Sequence, residues 1–160
     1  MTTIPAANAL PIRPAKNRDA PAIKELVFSV LREYDLEPDP RGTDADLDDI
    51  DAHYFAQGGW FGVLVIDGNI VACVGVYRHN SSTCELRKMY CLPAYRGRGY
   101  GQQLLDHALA EAKALKFKRV VLETASALKE AIVLYQRYGF TPYEPDHMAE
   151  RCDQAFELYL

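Results

Sequence analysis

The chain has 160 residues, 49% hydrophobic and 25% charged, with a formal net charge of −4. That length suits one domain with its own core, read here as a single domain over residues 1–160. The composition excludes a disordered tail, a collagen-like repeat and a disulfide scaffold. The longest apolar run, Ile70 to Tyr77, is far short of the roughly 20 residues a membrane helix needs. Met1 to Pro14 lacks a basic segment followed by an apolar one, so no secretory leader is expected and a cytoplasmic address is the default.

Ile12 to Pro14 predicts a short opening strand. Asp19 can cap a helix that tolerates Pro21 in its first turn, and Ile23, Leu26, Val27, Val30, Leu31 and Tyr34 then recur at helical spacing. A second helix is expected near Asp44 to Phe55, stopped by Gly58-Gly59. Trp60 to Asp67 and Asn69 to His79 read as strands joined by a tight turn at Asp67-Gly68 or Gly68-Asn69, and Cys84 to Leu92 as a third. After Pro93 the pattern changes. Leu104 to Leu115 repeats as a helix, Arg119 to Glu123 is a short strand, and Leu128 to Tyr138 is a helix ended by Gly139. Phe156 to Leu160 closes the chain as a strand. The order β-α-α-β-β-β-α-β-α-β predicts a mixed α/β (α+β) sheet with helices packed on it.

Charge is unevenly placed. Glu33 to Asp51 holds nine acids against Arg41, a local charge of −8, whereas Glu85 to Arg98 carries +3. Such separation can serve a cationic ligand at one segment and an anion at the other. The basic stretch is too narrow for a nucleic-acid face. Four cysteines and four histidines are dispersed without metal-ligand spacing, so no metal is expected, and Cys91 lacks a base at an informative distance.

Arg96-Gly97-Arg98-Gly99-Tyr100-Gly101 lies between a strand and a helix. Glycines let the backbone approach a ligand, and the following helix exposes unpaired N–H groups at its positive end. This predicts a phosphate cradle with two arginines beside it. A Walker loop is excluded by Tyr100-Gly101-Gln102. A dinucleotide fingerprint fits poorly, because Gln102 replaces its third glycine, though Glu123 falls near the place of a ribose-binding acid.

The run from Glu85 to Gly101, with Arg96, Gly99 and Gly101 meeting a Q/R-x-x-G-x-G/A signature, closely resembles the acetyl-CoA motif of the Gcn5-related N-acetyltransferase (GNAT) superfamily. Ala131 to Phe140 resembles that family's later helix with its Tyr-x-x-x-Gly-Phe ending. The resemblance implies a mostly antiparallel twisted sheet splayed between its middle strands, with a bulge before the glycine turn. It implies that the backbone of Met89, Tyr90 and Cys91 pairs with the pantetheine arm, while Arg96, Gly97, Arg98, Gly99, Tyr100, Gly101 and Gln102 hold the pyrophosphate. Acetyl-CoA is the expected co-substrate, with direct attack by an amine. Glu85 or Glu123 is the expected general base, and Tyr135 the group that protonates the departing thiolate. Some relatives carry asparagine where this chain has Leu128, so that pantetheine contact is not carried over. Strand alternation puts Glu85, Arg87, Met89 and Cys91 on one face until a bulge changes the parity. The acidic segment motivates a cationic small amine or basic peptide as acceptor, with no nucleic-acid or membrane partner. Family analogy and the closing strand admit a homodimer. A non-catalytic acetyl-CoA sensor or interaction module is the alternative.

Overall fold

The computed structural model describes residues 12–160. The reading made on the leader region therefore falls almost wholly outside it. A seven-stranded sheet forms the middle layer, in the order β1 (Ile12–Pro14), β2 (Trp60–Ile66), β3 (Asn69–Arg78), β4 (Thr83–Cys91), β5 (Arg119–Thr124), β7 (Gln154–Tyr159) and β6 (Thr141–Pro142). Only β4 and β5 run parallel; every other neighbour is antiparallel. The β2–β3 turn places both Asp67 (φ 52°) and Gly68 (φ 79°) in the left-handed region, which settles the turn at Asp67-Gly68.

Helix α1 (Ala20–Glu33) buries Ile23, Leu26, Val27, Val30 and Leu31, most of them in a core with Leu47, Ile50, Tyr54 and the β2–β3 face. On the opposite face α2 (Tyr100–Ala114) buries Leu104, Leu105, Ala108 and Ala112. Alongside it α3 (Lys129–Arg137) contributes Tyr135 to a core with Phe140 and Phe156. The result is helix, sheet, helix. Among the described residues, no helix is long and apolar enough to cross a membrane.

Two departures from the expected elements bear on function. The helix predicted from Asp44 to Phe55 is instead a 3₁₀ turn over Ala45–Asp48 and a separate wide turn over Asp51–Phe55, divided at Asp49. Leu47, Ile50 and Tyr54 are fully buried as their spacing demands, but Asp44 and Asp46 also turn inward, toward Lys88 and Arg151. The two-residue β6 was also missed; it pairs Thr141 with Glu157 and Pro142 with Phe156.

The sheet opens where the sequence resemblance placed the splay. β4 and β5 pair only at Thr83–Arg119, Cys84–Val120 and Glu85–Val121. Beyond that rung β4 runs on to Cys91 and β5 to Thr124 without meeting. β4 also bulges: Cys73 faces Tyr90 and Gly75 faces Arg87, so Lys88 and Met89 together oppose Val74. Lys88 takes the left-handed conformation, φ 55°. The bulge resets parity, so Met89 and Cys91 pack with Leu86 against the α2–α3 core, while Glu85 and Arg87 stay on the other face.

Candidate active site

Two hollows meet at the splay. A narrow groove of about 180 Å³ runs between the β4 end and the α2 start, lined by Cys91, Arg96, Gly97, Gly99, Tyr100 and Gly101. A wider cavity of about 560 Å³ is lined by Glu85, Arg87, Lys88, Glu123, Tyr135 and Arg151, among others. Met89, Tyr90, Leu128 and Ala131 line both, so the hollows adjoin at these residues.

The glycine turn has the features of an anion cradle. Gly97 (φ 77°) and Gly99 (φ 81°) hold left-handed backbone, and a Cβ at either would meet nothing within 4 Å. Conformation, not crowding, therefore selects glycine there. Gly99 caps α2, and the first internal bond at this end runs from Gln103 N to Gly99 O. The N–H groups of Gly97 to Gln102 donate to no acceptor among the described residues. They are free for phosphate oxygens at the positive end of a 15-residue helix.

The arginines divide the work differently from the sequence expectation. Arg96 is not a free phosphate ligand. Its Nε donates to Cys91 O (3.0 Å), its two Nη atoms grip Glu33 (2.5 and 2.9 Å), and Nη1 also reaches Tyr34 Oη (3.2 Å). It fastens the turn to the end of α1. Arg98 lies over the Tyr95 ring, 5.6 Å from its centroid, at the turn's edge. Gln102 is exposed in the first turn of α2.

The two candidate bases sit in unlike surroundings. Glu85 Oε1 is held by His79 Nε2 at 2.8 Å and Arg87 Nη2 at 3.1 Å. Burial alone would raise its pKa, but the His79 hydrogen bond and the Arg87 charge outweigh it and hold the carboxyl below its ordinary range. Glu123 Oε1 accepts the Ala149 N–H at 2.8 Å, and no cation pairs with it among the described residues. A carboxylate without a cationic partner is the better proton acceptor. The paired variants Glu123→Gln and Glu85→Gln should therefore separate: the first lowers kcat/KM by about 100-fold, the second by less than 10-fold. Steady-state rates for both at matched melting temperature check this.

Tyr135 reaches the cavity from α3 and packs at 5.7 Å from the Phe140 ring. Its hydroxyl finds no hydrogen-bond partner among the described residues, and its pKa is raised above the ordinary phenol value, first by burial and then by Tyr90. Cys91 is not set up as a nucleophile, since burial pushes its pKa up more than Arg96 and Arg98 lower it.

Sequence reasoning missed the polar frame of the cavity. Asp44, with a side chain 0% exposed, takes Arg151 bidentately (2.7 and 2.7 Å) and Lys88 Nζ at 3.1 Å. Lys88 also donates to Thr43 O at 3.1 Å and lies 3.4 Å from Asp46, which accepts the Tyr54 hydroxyl. The available signal was the alternation of Asp44 and Asp46 opposite a basic strand.

A family model described as "Acetyltransferase (GNAT) family" matches residues 24–140. The chain belongs to the GNAT acetyltransferase family. It is 39% identical over 142 residues to the N-acetyltransferase YjgM of Escherichia coli (strain K12), covering 83% of this chain and 85% of that one. It is also 34% identical over 97 residues to the N-acetylaspartate synthetase of Rattus norvegicus, covering 59% of this chain and 32% of the relative. Among solved structures, a GNAT acetyltransferase from Staphylococcus aureus Mu50 superposes with a TM-score of 0.86 at 23% identity, over 94% and 99% of the two chains. Another, from Elizabethkingia anophelis and solved with acetyl-CoA bound, gives a TM-score of 0.70 at 20% identity over 97% and 100%. As a GNAT member the protein is an acyltransferase.

Proposed function

We propose that this GNAT protein transfers an acetyl group from acetyl-CoA to a primary amine by direct attack within a ternary complex. The meeting of groove and cavity at Met89, Tyr90, Leu128 and Ala131, which line both, carries this reading, because it sets a thioester laid along β4 next to an amine held in the wider cavity. Acetyl-CoA, when bound, supplies the activated acyl carbonyl. The turn from Gly97 to Gln102 holds its pyrophosphate through main-chain N–H groups, and the unpaired edge of β4 at Met89 to Cys91 receives the pantetheine arm as an added strand. Leu128 offers that arm an apolar wall.

Glu123 draws the proton from the acceptor ammonium, directly or through water. That help matters, because an amine of pKa ~10.4 is neutral about one part in a thousand near pH 7.4, which costs roughly 4 kcal/mol. Tyr135 donates a hydrogen bond to the departing sulfur.

Four of the nine acids in the acidic segment are already paired within the protein. Asp44 and Asp46 are held by Arg151, Lys88 and Tyr54, Asp48 by Lys24, and Glu33 by Arg96. Of those acids only Asp46 lines the cavity, beside Glu85 and Glu123 and against Arg87, Lys88 and Arg151. The name of the N-acetylaspartate synthetases adds amino-acid acceptors to those worth assaying.

Thermal melting with acetyl-CoA, CoA and NAD in parallel tests the coenzyme half of the proposal. Ligand at ~100 times its Kd adds about 2.7 kcal/mol, or roughly 5–10 °C for a domain of this size. Both CoA species should raise the midpoint and NAD should not. A shift with NAD alone would overturn the proposal.

A further inference from the structure

Arg87 on β4 and Glu123 on β5 line the same cavity where the two strands part, and they do not pair. The last parallel rung joins Glu85 to Val121. Side-chain alternation from that rung puts Arg87 and Glu123 on one face of the sheet, on either side of the opening. Both line the 560 Å³ cavity.

Each is left incompletely satisfied. The Arg87 guanidinium carbon sits over the Tyr77 ring, 3.7 Å from its centroid. Of its neighbours only Glu85 Oε1, at 3.1 Å, is within hydrogen-bond reach, with Asp46 Oδ2 farther off at 3.9 Å. A guanidinium has five N–H donors in a planar fork, so most of its donors stay unspent. Glu123 has a backbone donor and, among the described residues, no cation. The remaining cavity cations, Lys88 and Arg151, are already held by Asp44 and Asp46.

We propose that the acceptor is a free amino acid, whose carboxylate docks on the Arg87 fork while its amine faces Glu123. This inference rests on the acetyltransferase reading and names its substrate class. A zwitterion answers the unspent donors of the fork and the cation-free carboxylate at once. A polyamine answers Glu123 alone and brings positive charge against Arg87, and a neutral amine leaves the fork without an acceptor. Bidentate recognition by arginine also fixes orientation, so the same contact that selects the carboxylate aims the amine at the β4 edge where the thioester is proposed to lie.

The test compares L-alanine, L-aspartate and L-lysine with their C-terminal amides, and with spermidine, by thiol release from acetyl-CoA. At least one free amino acid should exceed its own amide about 100-fold in kcat/KM, the scale of a lost charge-assisted pair. Arg87→Gln should erase that difference by slowing the acid and sparing the amide, with the KM for acetyl-CoA unchanged. Arg87→Lys keeps the charge without the fork and should fall between, which guards against a variant that merely misfolds. Amides or spermidine turned over as well as the acids, or acid and amide slowed alike in a folded Arg87→Gln, would overturn the inference. Melting of the CoA-saturated and CoA-free protein with each amino acid separates the two claims. Amino-acid protection lost in Arg87→Gln sustains the binding site even where no acetyl transfer occurs. Neither turnover nor protection by any of the three amino acids removes it, while absence of any CoA shift removes only the acetyltransferase reading.

Discussion

Replacing Asp44 with asparagine should destabilise the protein by about 3–5 kcal/mol, the usual cost of leaving buried partner charges uncompensated. For a domain of this size that lowers the melting midpoint on the order of 10 °C. Asp44 neutralises two cations, Arg151 through a bidentate pair and Lys88 through a side chain only 4% exposed. Its Oδ2 also accepts the Asp39 N–H at 2.8 Å. Burial alone would raise its pKa, but Arg151, the Asp39 amide and Lys88 together bring it down to about 2. The folded value lies below the unfolded carboxylate value of ~3.9, so the linked stability is fully present above about pH 4. It is lost as pH falls from there toward 2, and amounts to about 2 kcal/mol. Asp44→Asn should therefore start less stable and lose less on acidification through that window. Thermal melts of both proteins at pH 7, 4 and 3 check this; parallel curves would show that the Asp44 charge is not what holds the network.

The same network explains why a destabilised Asp44 variant should also bind acceptor poorly. Residues 36–46 and 147–152 both supply walls of the wide cavity, and the Arg151–Asp44 pair ties the two segments together. Arg151 Nη1 also reaches Glu37 O at 3.4 Å. Lys88, presented by the bulge, fixes that joint to β4. The bulge thus has two consequences: it brings Met89 and Cys91 onto the α2–α3 face and buries a lysine beside the wide cavity.

What the sequence discloses here depends on how local the determining physics is. The β2–β3 hairpin is legible because Asp67-Gly68 supplies two left-handed residues between alternating strands. The glycine turn is legible because φ at Gly97 and Gly99 excludes other side chains at low cost. α1 and α2 follow from apolar period alone. The broken stretch from Asp44 to Phe55 is not legible, since Leu47, Ile50 and Tyr54 keep a helical period while long-range pairs with Lys88 and Arg151 turn the acids inward. Arg96 misleads for the same reason: its partner, Glu33, is 63 residues away. The splay is anticipated only through resemblance. Three rungs pair and the fourth does not, a fact that no residue of β4 or β5 announces by itself.

Tyr135→Phe should lower kcat about 100-fold while leaving acetyl-CoA affinity and the melting temperature nearly unchanged. The phenol hydroxyl makes no hydrogen bond within the described residues, so its removal leaves no buried partner unpaired and phenylalanine fills the same space beside Phe140. Stability therefore has little reason to fall. Burial, then Tyr90, holds the phenol pKa above its ordinary value, so the side chain is protonated throughout the physiological range. Complete proton transfer to a thiolate of pKa ~8.5 would run uphill by at least about 2 kcal/mol. Tyr135 is accordingly expected to act by donating a hydrogen bond as negative charge grows on sulfur, an interaction absent from the bound thioester and strongest at the transition state. Such a role loses kcat and kcat/KM together and spares coenzyme binding. Its alkaline limb should also lie above that of an unshifted phenol, so no loss of activity below about pH 10 should trace to Tyr135. A fall of less than threefold in kcat, with the fold intact, would mean that the thiolate departs without this hydroxyl. Equal losses in kcat and in CoA affinity would instead make Tyr135 a wall of the groove.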